Sequence, residues 1–252
     1  SVIIPAKEKK NDEKDKKNAF KNGIFSPDAL IDMYEKTITK FENSGYPFAS
    51  VIPEEVNISD DNVSVKLRLD NGRFVQFNNL VINGNSEISE KFVRRYLSFY
   101  KGDPYSEEII SNSSSEMTEL TFLNQIRSPE VDFYKNNADL YVYLNKSKAN
   151  VFNGIIGLIP QDENENALRL TGDLTVELLN NFNRAERIKL KWIASGDQSQ
   201  KLNLGLSLPY IFGSPFGTDF SFKIDKRDTS FVRTDLKGSI DFSFKNKDKI
   251  FT

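Results

Sequence analysis

From residue 148 onward the helical period disappears, and apolar and polar residues alternate in successive segments. A period of two is produced by a β-strand, because successive side chains point to opposite faces of a sheet. Six segments follow this pattern: Val151–Ile159, Leu168–Leu178, Ile188–Trp192, Leu202–Leu208, Phe220–Ile224 and Ile240–Phe244. The pattern predicts six successive antiparallel strands.

The two faces of this predicted sheet differ in chemistry. One carries Leu, Ile and Phe, and the other carries charged residues, which include Arg169, Asp173, Glu177, Lys189 and Lys191. A soluble sheet buried on one face alternates in the same way, but the helical period is absent here, so a second sheet or lipid must cover the apolar face. We favour lipid, because the longer segments approach the roughly 9–11 residues that cross a bilayer when tilted. Since the smallest membrane barrel has about eight strands, the predicted barrel is incomplete.

Upstream of residue 148, helical and strand periods are mixed. Ser26-Pro27-Asp28 is typical of a helix start, because Ser caps the helix, Pro fits its first turn and Asp complements its dipole. The apolar residues of this helix follow at three- and four-residue spacing and are Leu30, Met33, Tyr34, Ile38 and Phe41. The helix is expected to end at Asn43-Ser44-Gly45, before strands at Tyr46–Val51 and Val63–Leu69.

A second and longer block follows the turn at Asp70-Asn71-Gly72. It contains a strand at Phe74–Ile82, a helix at Ser89–Tyr100, a second helix from Tyr105 to Ile126, and strands at Val131–Tyr134 and Asp139–Leu144. The predicted order is strand, helix, helix, strand, strand. The first block has the last three of these elements, so we interpret the chain as a repeat whose first copy lacks its opening strand and helix. Two unrelated α+β segments are the alternative.

The composition narrows the possible functions. The 252 residues contain no histidine and no cysteine, which excludes zinc sites built on these ligands, disulfides and catalysis by imidazole or thiolate. The net charge of −2 gives no global attraction to nucleic acid. We therefore expect no enzyme activity, no cofactor and no metal, and we attribute Glu107, Glu108 and Asp132 to the charged surface. The mixed-charge segment Lys7–Lys17 is expected to be a linker or loop.

Four short segments carry a resemblance to a known family. Phe77–Asn85 is similar to the first strand of a POTRA domain and its glycine turn, and Gly102–Ser106 resembles the linker between the two POTRA helices. Gly45–Ala49 resembles the start of a second POTRA strand, and Leu208–Gly213 resembles the end of an early barrel strand. In this order they resemble the POTRA-plus-barrel superfamily of outer-membrane assembly and secretion proteins, in particular its BamA- and TamA-like members. The Arg-Gly-aromatic motif of a late barrel loop is absent after residue 148, which fits a chain truncated within the barrel.

The resemblance implies an α+β fold of POTRA modules followed by antiparallel transmembrane β-barrel strands. The regions it implies are a charged linker or loop at 1–23, the C-terminal part of a POTRA domain at 24–72, a complete POTRA domain at 73–147, and the N-terminal barrel strands at 148–252. It also implies a factor that inserts barrel proteins into a bacterial or organellar outer membrane, with its POTRA part in the periplasm. A two-partner-type secretion transporter and a soluble α+β binding protein are the alternatives.

The resemblance further implies where polypeptide binds, namely by strand addition at exposed sheet edges. The expected POTRA edge consists of Val131, Asp132, Phe133, Tyr134 and Lys135, and that of the partial domain is Tyr46–Ile52. The expected barrel seam consists of Val151, Asn153, Gly154, Ile155, Gly157 and Ile159. The two glycines are expected to weaken a strand that must open, although glycines that merely bend the strand are the alternative.

Aromatic residues at turns and strand ends predict a membrane belt, because aromatic rings favour the boundary between hydrocarbon and water. The candidates are Phe182, Trp192, Tyr210, Phe212 and Phe216, and ordinary packing is the alternative. The partners implied by the resemblance are unfolded outer-membrane or secreted polypeptides, the lipid bilayer and periplasmic accessory lipoproteins. Nucleic acid is not an expected partner.

Overall fold

The computed structural model describes residues 20–21, 24–25, 27–59, 62–162, 165–227, 230–243 and 249–251. The predicted linker at Lys7–Lys17 lies outside them. The chain divides into two compact units. The first contains residues up to 81 together with 100–113 and 129–141, and the second contains 82–99, 114–128 and the residues from 142 onward. The four regional boundaries expected from the sequence stay a prediction.

Helices occur in both units of the described chain. They are α1 (Pro27–Glu42), α2 (Glu90–Tyr96), α3 (Glu107–Thr118) and the short 3-10 helix η1 (Ile211–Gly213). Helix α1 follows the predicted stripe, and its Met33 is buried with Val65 and Leu67 of the strand pair that follows it. Within the described residues, no helix has the length and apolar composition needed to cross a membrane.

Seven strands lie before residue 148 in the described chain. They are β1 (Phe20–Lys21), β2 (Ile24–Phe25), β3 (Ser50–Ser59), β4 (Asn62–Asp70), β5 (Gln76–Asn83), β6 (Leu123–Tyr134) and β7 (Asn137–Lys146). Strands β1 and β2 form one antiparallel pair, β3 and β4 form another, and the last three form a sheet in the order β5-β7-β6. The central strand β7 supplies buried residues at every second position, Ala138, Leu140, Val142 and Leu144. Because the sheet has the order β5-β7-β6, strand β6 lies at one of its edges.

The prediction that the second helix continues to Ile126 is wrong. Helix α3 ends at Thr118, and β6 begins at Leu123. Met117, Leu120, Leu123 and Ile126 are spaced by three residues, so the apolar pattern of a helix continues across this boundary. Leu123 is nevertheless buried as part of a strand, and Ile126 is 53% exposed. Pairing within the sheet decides the conformation here, because tertiary contacts override local propensity.

Two further element ends differ from the prediction. Helix α2 is shorter than expected, because Ser98 takes a left-handed φ of 57° soon after it. Strand β3 begins at Ser50 instead of Tyr46. The chain turns before it, and Gly45 has a φ of 97° that favours glycine. Both differences arise at left-handed residues, which end regular structure abruptly.

The described strands from residue 151 onward form one antiparallel sheet. Its strands are β8 (Val151–Asp162), β9 (Glu165–Leu179), β10 (Arg187–Ala194), β11 (Gln200–Leu208), β12 (Phe216–Arg227), β13 (Phe231–Ser243) and β14 (Lys249–Phe251). Each strand pairs with its neighbour in sequence, so β8 and β14 are the two edges and the sheet is not closed in the described residues. The six predicted strands are confirmed, and a short seventh strand follows them.

The strand register separates the two faces of this sheet. One apolar row crosses six strands and consists of Phe152, Val176, Leu190, Leu204, Phe222 and Leu236. On the opposite face, Glu177 lies between Val151 and Lys189, and its carboxylate is 3.5 Å from the Lys189 ammonium. Phe152 is 71% exposed and Leu236 is 65% exposed. The apolar face is therefore open to its surroundings at both of these strands.

Candidate polypeptide-binding edges

The predicted POTRA edge lies on the edge strand β6. Val131 and Phe133 are half-buried on one face, whereas Asp132 and Tyr134 are exposed on the other. Phe133 packs against Phe48 at 5.0 Å between ring centroids. The end of this strand is thus anchored by one face while its other face meets solvent.

Two residues limit the length of this edge. Lys135 does not belong to the strand, because β6 ends at Tyr134 and Lys135 takes a left-handed φ of 52° in the turn to β7. The sequence prediction placed Lys135 in the edge strand, and the structure corrects this by placing it in the turn. Pro129 carries no N–H and removes one backbone donor from β6, as prolines on edge strands do. The residues that follow it in β6, Glu130–Tyr134, all carry a backbone N–H.

The segment predicted as the second edge, Tyr46–Ile52, directly follows a set of backbone hydrogen bonds that connects distant parts of the chain. Gly45 N–H donates to the Tyr105 carbonyl at 2.9 Å, and the Gly45 carbonyl accepts from Val75 N–H at 2.7 Å. Tyr105 N–H donates in turn to the Val75 carbonyl at 3.0 Å. Only the last residues of the segment, from Ser50, lie in a strand. Tyr46 N–H donates to the Phe41 carbonyl at 3.1 Å and Ala49 N–H donates to the Tyr46 carbonyl at 3.1 Å, so the start of the segment is occupied by local backbone hydrogen bonds.

Asn43 lies close to these hydrogen bonds, and its capping role was not predicted from the sequence. Its Oδ1 accepts from Glu108 N–H at 2.8 Å and from the Ser106 hydroxyl at 3.1 Å, at the start of α3. It therefore satisfies an orphan donor of a helix that is distant in sequence.

Burial raises the pKa of the Tyr105 phenol, and its hydrogen bond to Glu107 acts in the same direction.

The predicted seam lies on β8, at one edge of the large sheet. The two glycines in it have different surroundings. A Cβ at Gly154 would lie 2.9 Å from Leu174 Cδ1 and 3.0 Å from the Asp173 carbonyl, so this glycine is required by close packing. A Cβ at Gly157 would lie 3.3 Å from Thr171 Oγ1, and this hydroxyl, which donates to the Gly157 carbonyl at 3.3 Å, would have to move by a few tenths of an ångström. Gly157 is thus less closely packed than Gly154.

Strand β8 differs from its neighbours because both of its faces are largely apolar. Phe152, Ile156 and Leu158 lie on the apolar face of the sheet. The predicted seam residues of the opposite face are Val151, Asn153, Ile155, Gly157 and Ile159. Ile155 is 78% exposed although it pairs with Asp173. The apolar residues on both faces of β8 can be seen in the sequence, but the regular alternation of the whole region led to the same interpretation for every strand.

The predicted belt residues lie in different places. Phe182 is in the β9–β10 turn and is 68% exposed. Phe216 stacks edge-on against Phe242 at 5.0 Å, and Tyr210 lies 5.7 Å from the ring of Phe92, which precedes the large sheet. Trp192 lies near the end of β10 that is farther from the β9–β10 turn. The side chain of Phe212 lies outside the described residues, and the belt as a whole stays a prediction.

Among the described residues, no group of three or more acidic, histidine or cysteine side chains is arranged to hold a metal ion. The chemistry offered by the two edge strands is that of backbone hydrogen bonds and apolar side chains. Sheet edges with such groups can bind an extended polypeptide by strand addition.

Comparison with known proteins supports the same architecture. Residues 75–147 match the sequence profile of the POTRA family, which is described as a surface antigen variable number repeat. No curated protein sequence matches the chain.

Solved structures extend the likeness to the rest of the chain. BamA from Haemophilus ducreyi lacking POTRA domains 1–3 is similar with a TM-score of 0.64 at 18% sequence identity, over 96% of this chain and 47% of that one. This chain therefore spans about half the length of that structure. CdiB from Acinetobacter baumannii matches with a TM-score of 0.45 at 13% identity, over 96% of this chain and 44% of that one. Residues 75–147 thus match the POTRA family, and the chain has a POTRA-plus-β-barrel-like fold, in which a POTRA-like α+β region is followed by an antiparallel sheet that is open in the described residues.

Proposed function

We propose that this protein is an outer-membrane assembly factor that inserts β-barrel proteins, with its POTRA part in the periplasm and the sheet from β8 onward in the membrane. The observation that carries the proposal is the presence of two edge strands, β6 and β8, in one chain with the POTRA-plus-β-barrel fold. An edge strand offers a row of backbone donors and acceptors, which binds an extended chain with little dependence on sequence. The β6 edge receives the unfolded polypeptide, and the β8 edge pairs with one of its strands.

The apolar face of the large sheet supports a position in the membrane. Leu158 and Leu168 are 62% and 64% exposed on the first two strands, and Leu236 is 65% exposed on the sixth. An exposed apolar surface that continues across so many strands is costly in water and stable in hydrocarbon. The lipid bilayer is therefore a partner of this face.

The proposed activity is binding and does not involve covalent chemistry. The other partners are unfolded outer-membrane or secreted polypeptides and periplasmic accessory lipoproteins. Nucleic acid has no place among them, because 34 basic residues are balanced by 36 acidic ones.

Reconstitution tests the proposal. The full-length protein encoded by the gene is inserted into liposomes, and the folding rate of several unrelated urea-unfolded barrel proteins is measured by their gel mobility. We expect faster folding than in liposomes without the protein. The proposal fails if no client is accelerated, or if the protein is soluble and monodisperse in buffer without detergent.

The main competing function is secretion of one dedicated polypeptide through the pore of a completed barrel. The charged face, with residues such as Lys191 and Asp173, is compatible with both functions, because a polar lumen is common to membrane barrels. The same reconstitution separates them. A secretion pore leaves the folding of unrelated barrel proteins unchanged, whereas an assembly factor accelerates several of them.

Replacement of Gly157 by valine tests the seam. Glycine in a strand interior lowers strand stability by about 0.5–1 kcal/mol, so Gly157→Val is expected to strengthen β8 and slow client insertion by about two- to fivefold. The matched control is Gly205→Val on the same face of β11, where a Cβ would lie 3.6 Å from Lys189 Cβ in ordinary contact. The control is expected to insert clients at the wild-type rate. An unchanged rate in Gly157→Val would argue against a seam at β8.

A further inference from the structure

The turn between β9 and β10 is built around two buried polar side chains. Asn180 is 1% exposed and Glu186 is 2% exposed. The Glu186 carboxylate accepts two backbone hydrogen bonds, from Phe182 N–H at 2.6 Å and from Arg184 N–H at 3.1 Å. A carboxylate is rarely buried this deeply unless it has such partners. Glu186 therefore forms the interior of the turn.

The backbone of this turn takes a conformation that ordinary residues disfavour. Asn180, Asn183 and Ala185 have left-handed φ values of 52°, 60° and 58°. Asn180 Oδ1 accepts from Ala185 N–H at 2.8 Å, and Asn180 N–H donates to the Glu186 carbonyl at 2.8 Å. Such strain persists only where the surroundings hold it, and the two buried side chains do so here.

The shape of the turn directs two groups toward other elements. The Asn183 carbonyl accepts from Ser89 N–H at 3.2 Å, directly before helix α2. Asn181 Oδ1 accepts from the Asn150 side-chain amide at 3.0 Å, directly before strand β8. Asn150 Oδ1 also accepts from Leu179 N–H at 3.0 Å. One turn thus contacts both the POTRA helix and the start of the seam strand.

Helix α2 is held at its other end by a different turn of the sheet. The Gly213 carbonyl, between β11 and β12, accepts from the Arg95 guanidinium at 3.0 Å. The ring of Tyr210 lies 5.7 Å from the ring of Phe92, which is buried. The helix is therefore fixed at both ends, and removal of one contact leaves a partial anchor in place.

We propose that Glu186 is a positioning residue of the seam, which acts through the 180–186 turn to hold helix α2 and the start of strand β8 in one arrangement. The role rests on the proposed function. The start of β8 stays anchored while a client pairs with the strand. The far end of β8 is paired less regularly with β9, because Pro160 has no N–H and the register shifts between Pro160 and Asp162.

The chemistry of residue 186 predicts a graded response to substitution. Gln has one carbonyl oxygen and a donor amide, so Glu186→Gln keeps one of the two acceptors. Glu186→Ala leaves two buried N–H groups without a partner. Arg184→Ala is the matched control, because it lies in the same turn, its side chain is exposed and it contributes only its backbone N–H.

Spin-label distances test the arrangement directly. The 252 residues contain no cysteine, so Glu90→Cys on α2 and Lys191→Cys on β10 give two defined labels in the full-length protein in liposomes, once any cysteine outside these residues has been replaced by serine. We expect a narrow distance distribution for the wild type and for Arg184→Ala, a broader one for Glu186→Gln and the broadest for Glu186→Ala. Distributions as narrow as the wild type in both Glu186 variants would overturn the proposal. Glu186→Gln keeps the side-chain volume and decides the question if Glu186→Ala does not fold.

Client insertion tests the consequence for function. Loss of buried hydrogen bonds is expected to lower the insertion rate of Glu186→Ala by about tenfold, with a smaller effect in Glu186→Gln and none in Arg184→Ala. A broadened distance distribution with a wild-type rate would overturn the role in the seam. If the wild type itself accelerates no client, the proposed function fails, while a broadened distribution in the variants still supports the role of Glu186 in the turn.

Discussion

Leu204→Arg is expected to destabilise the folded protein in a lipid bilayer by about 2–4 kcal/mol. Leu204 lies in the middle of β11 and is flanked on the same face by Leu190 and Phe222. An arginine at this position would place its guanidinium in hydrocarbon, where neither neighbour offers a partner. The effect is measured by urea unfolding in liposomes, followed by the gel mobility of unheated samples.

Ser207→Arg in the same strand is the matched control. Ser207 lies on the charged face between Arg187 and Asp219, so the new guanidinium meets one charge of each sign. We expect a change of at most about 0.5 kcal/mol, as for most surface substitutions. Equal urea midpoints for the two variants would contradict the assignment of the apolar face to lipid.

Gly84→Ala is expected to destabilise the POTRA domain by about 3–5 kcal/mol, which combines backbone strain with overpacking. Gly84 has a φ of 105°, and a Cβ there would clash with the Leu144 carbonyl oxygen. It would also lie 2.9 Å from Asn145 Oδ1, which accepts a hydrogen bond from Asn85 N–H. The affected strand cannot move aside easily, because Leu144 is fully buried.

Gly102→Ala separates the two contributions to this effect. Gly102 also has a positive φ, of 87°, but a Cβ there would meet no atom within 4 Å. The expected cost is therefore the backbone strain alone, about 1–2 kcal/mol. Hydrogen exchange of the β7 amides in the intact protein measures both variants. A loss of protection in Gly102→Ala as large as that in Gly84→Ala would show that the contact with Leu144 is unimportant.

The large sheet was predictable because its signal is local. The alternation around Leu202 and Phe220 follows from the geometry of a single strand and is independent of its neighbours. The helix predicted through Ile126 failed for the opposite reason. Its three-residue spacing fits a helix, but the strand is selected by pairing with β7, which follows later in the chain.

The candidate sites were predictable in part. Edge positions on β6 and β8 agree with the predicted segments, although Lys135 lies in a turn. Asn43 and Glu186 were missed, because nothing in their local sequence distinguishes an amide that caps a distant helix or a carboxylate inside a turn from ordinary surface residues. Their roles depend on which backbone donors the fold brings to them.

Residue type and spacing were enough to predict the strand-forming half of the chain and the apolar and charged faces of that half. These properties depend on residue type and on a period of two or about 3.6, which any short segment carries. The identity of the edge strands, the packing around each glycine and the hydrogen-bond partners of Asn180 and Glu186 become visible in the folded chain alone. Those outcomes depend on contacts between residues far apart in the chain, and such contacts exist only after the strands have paired and the turns have closed.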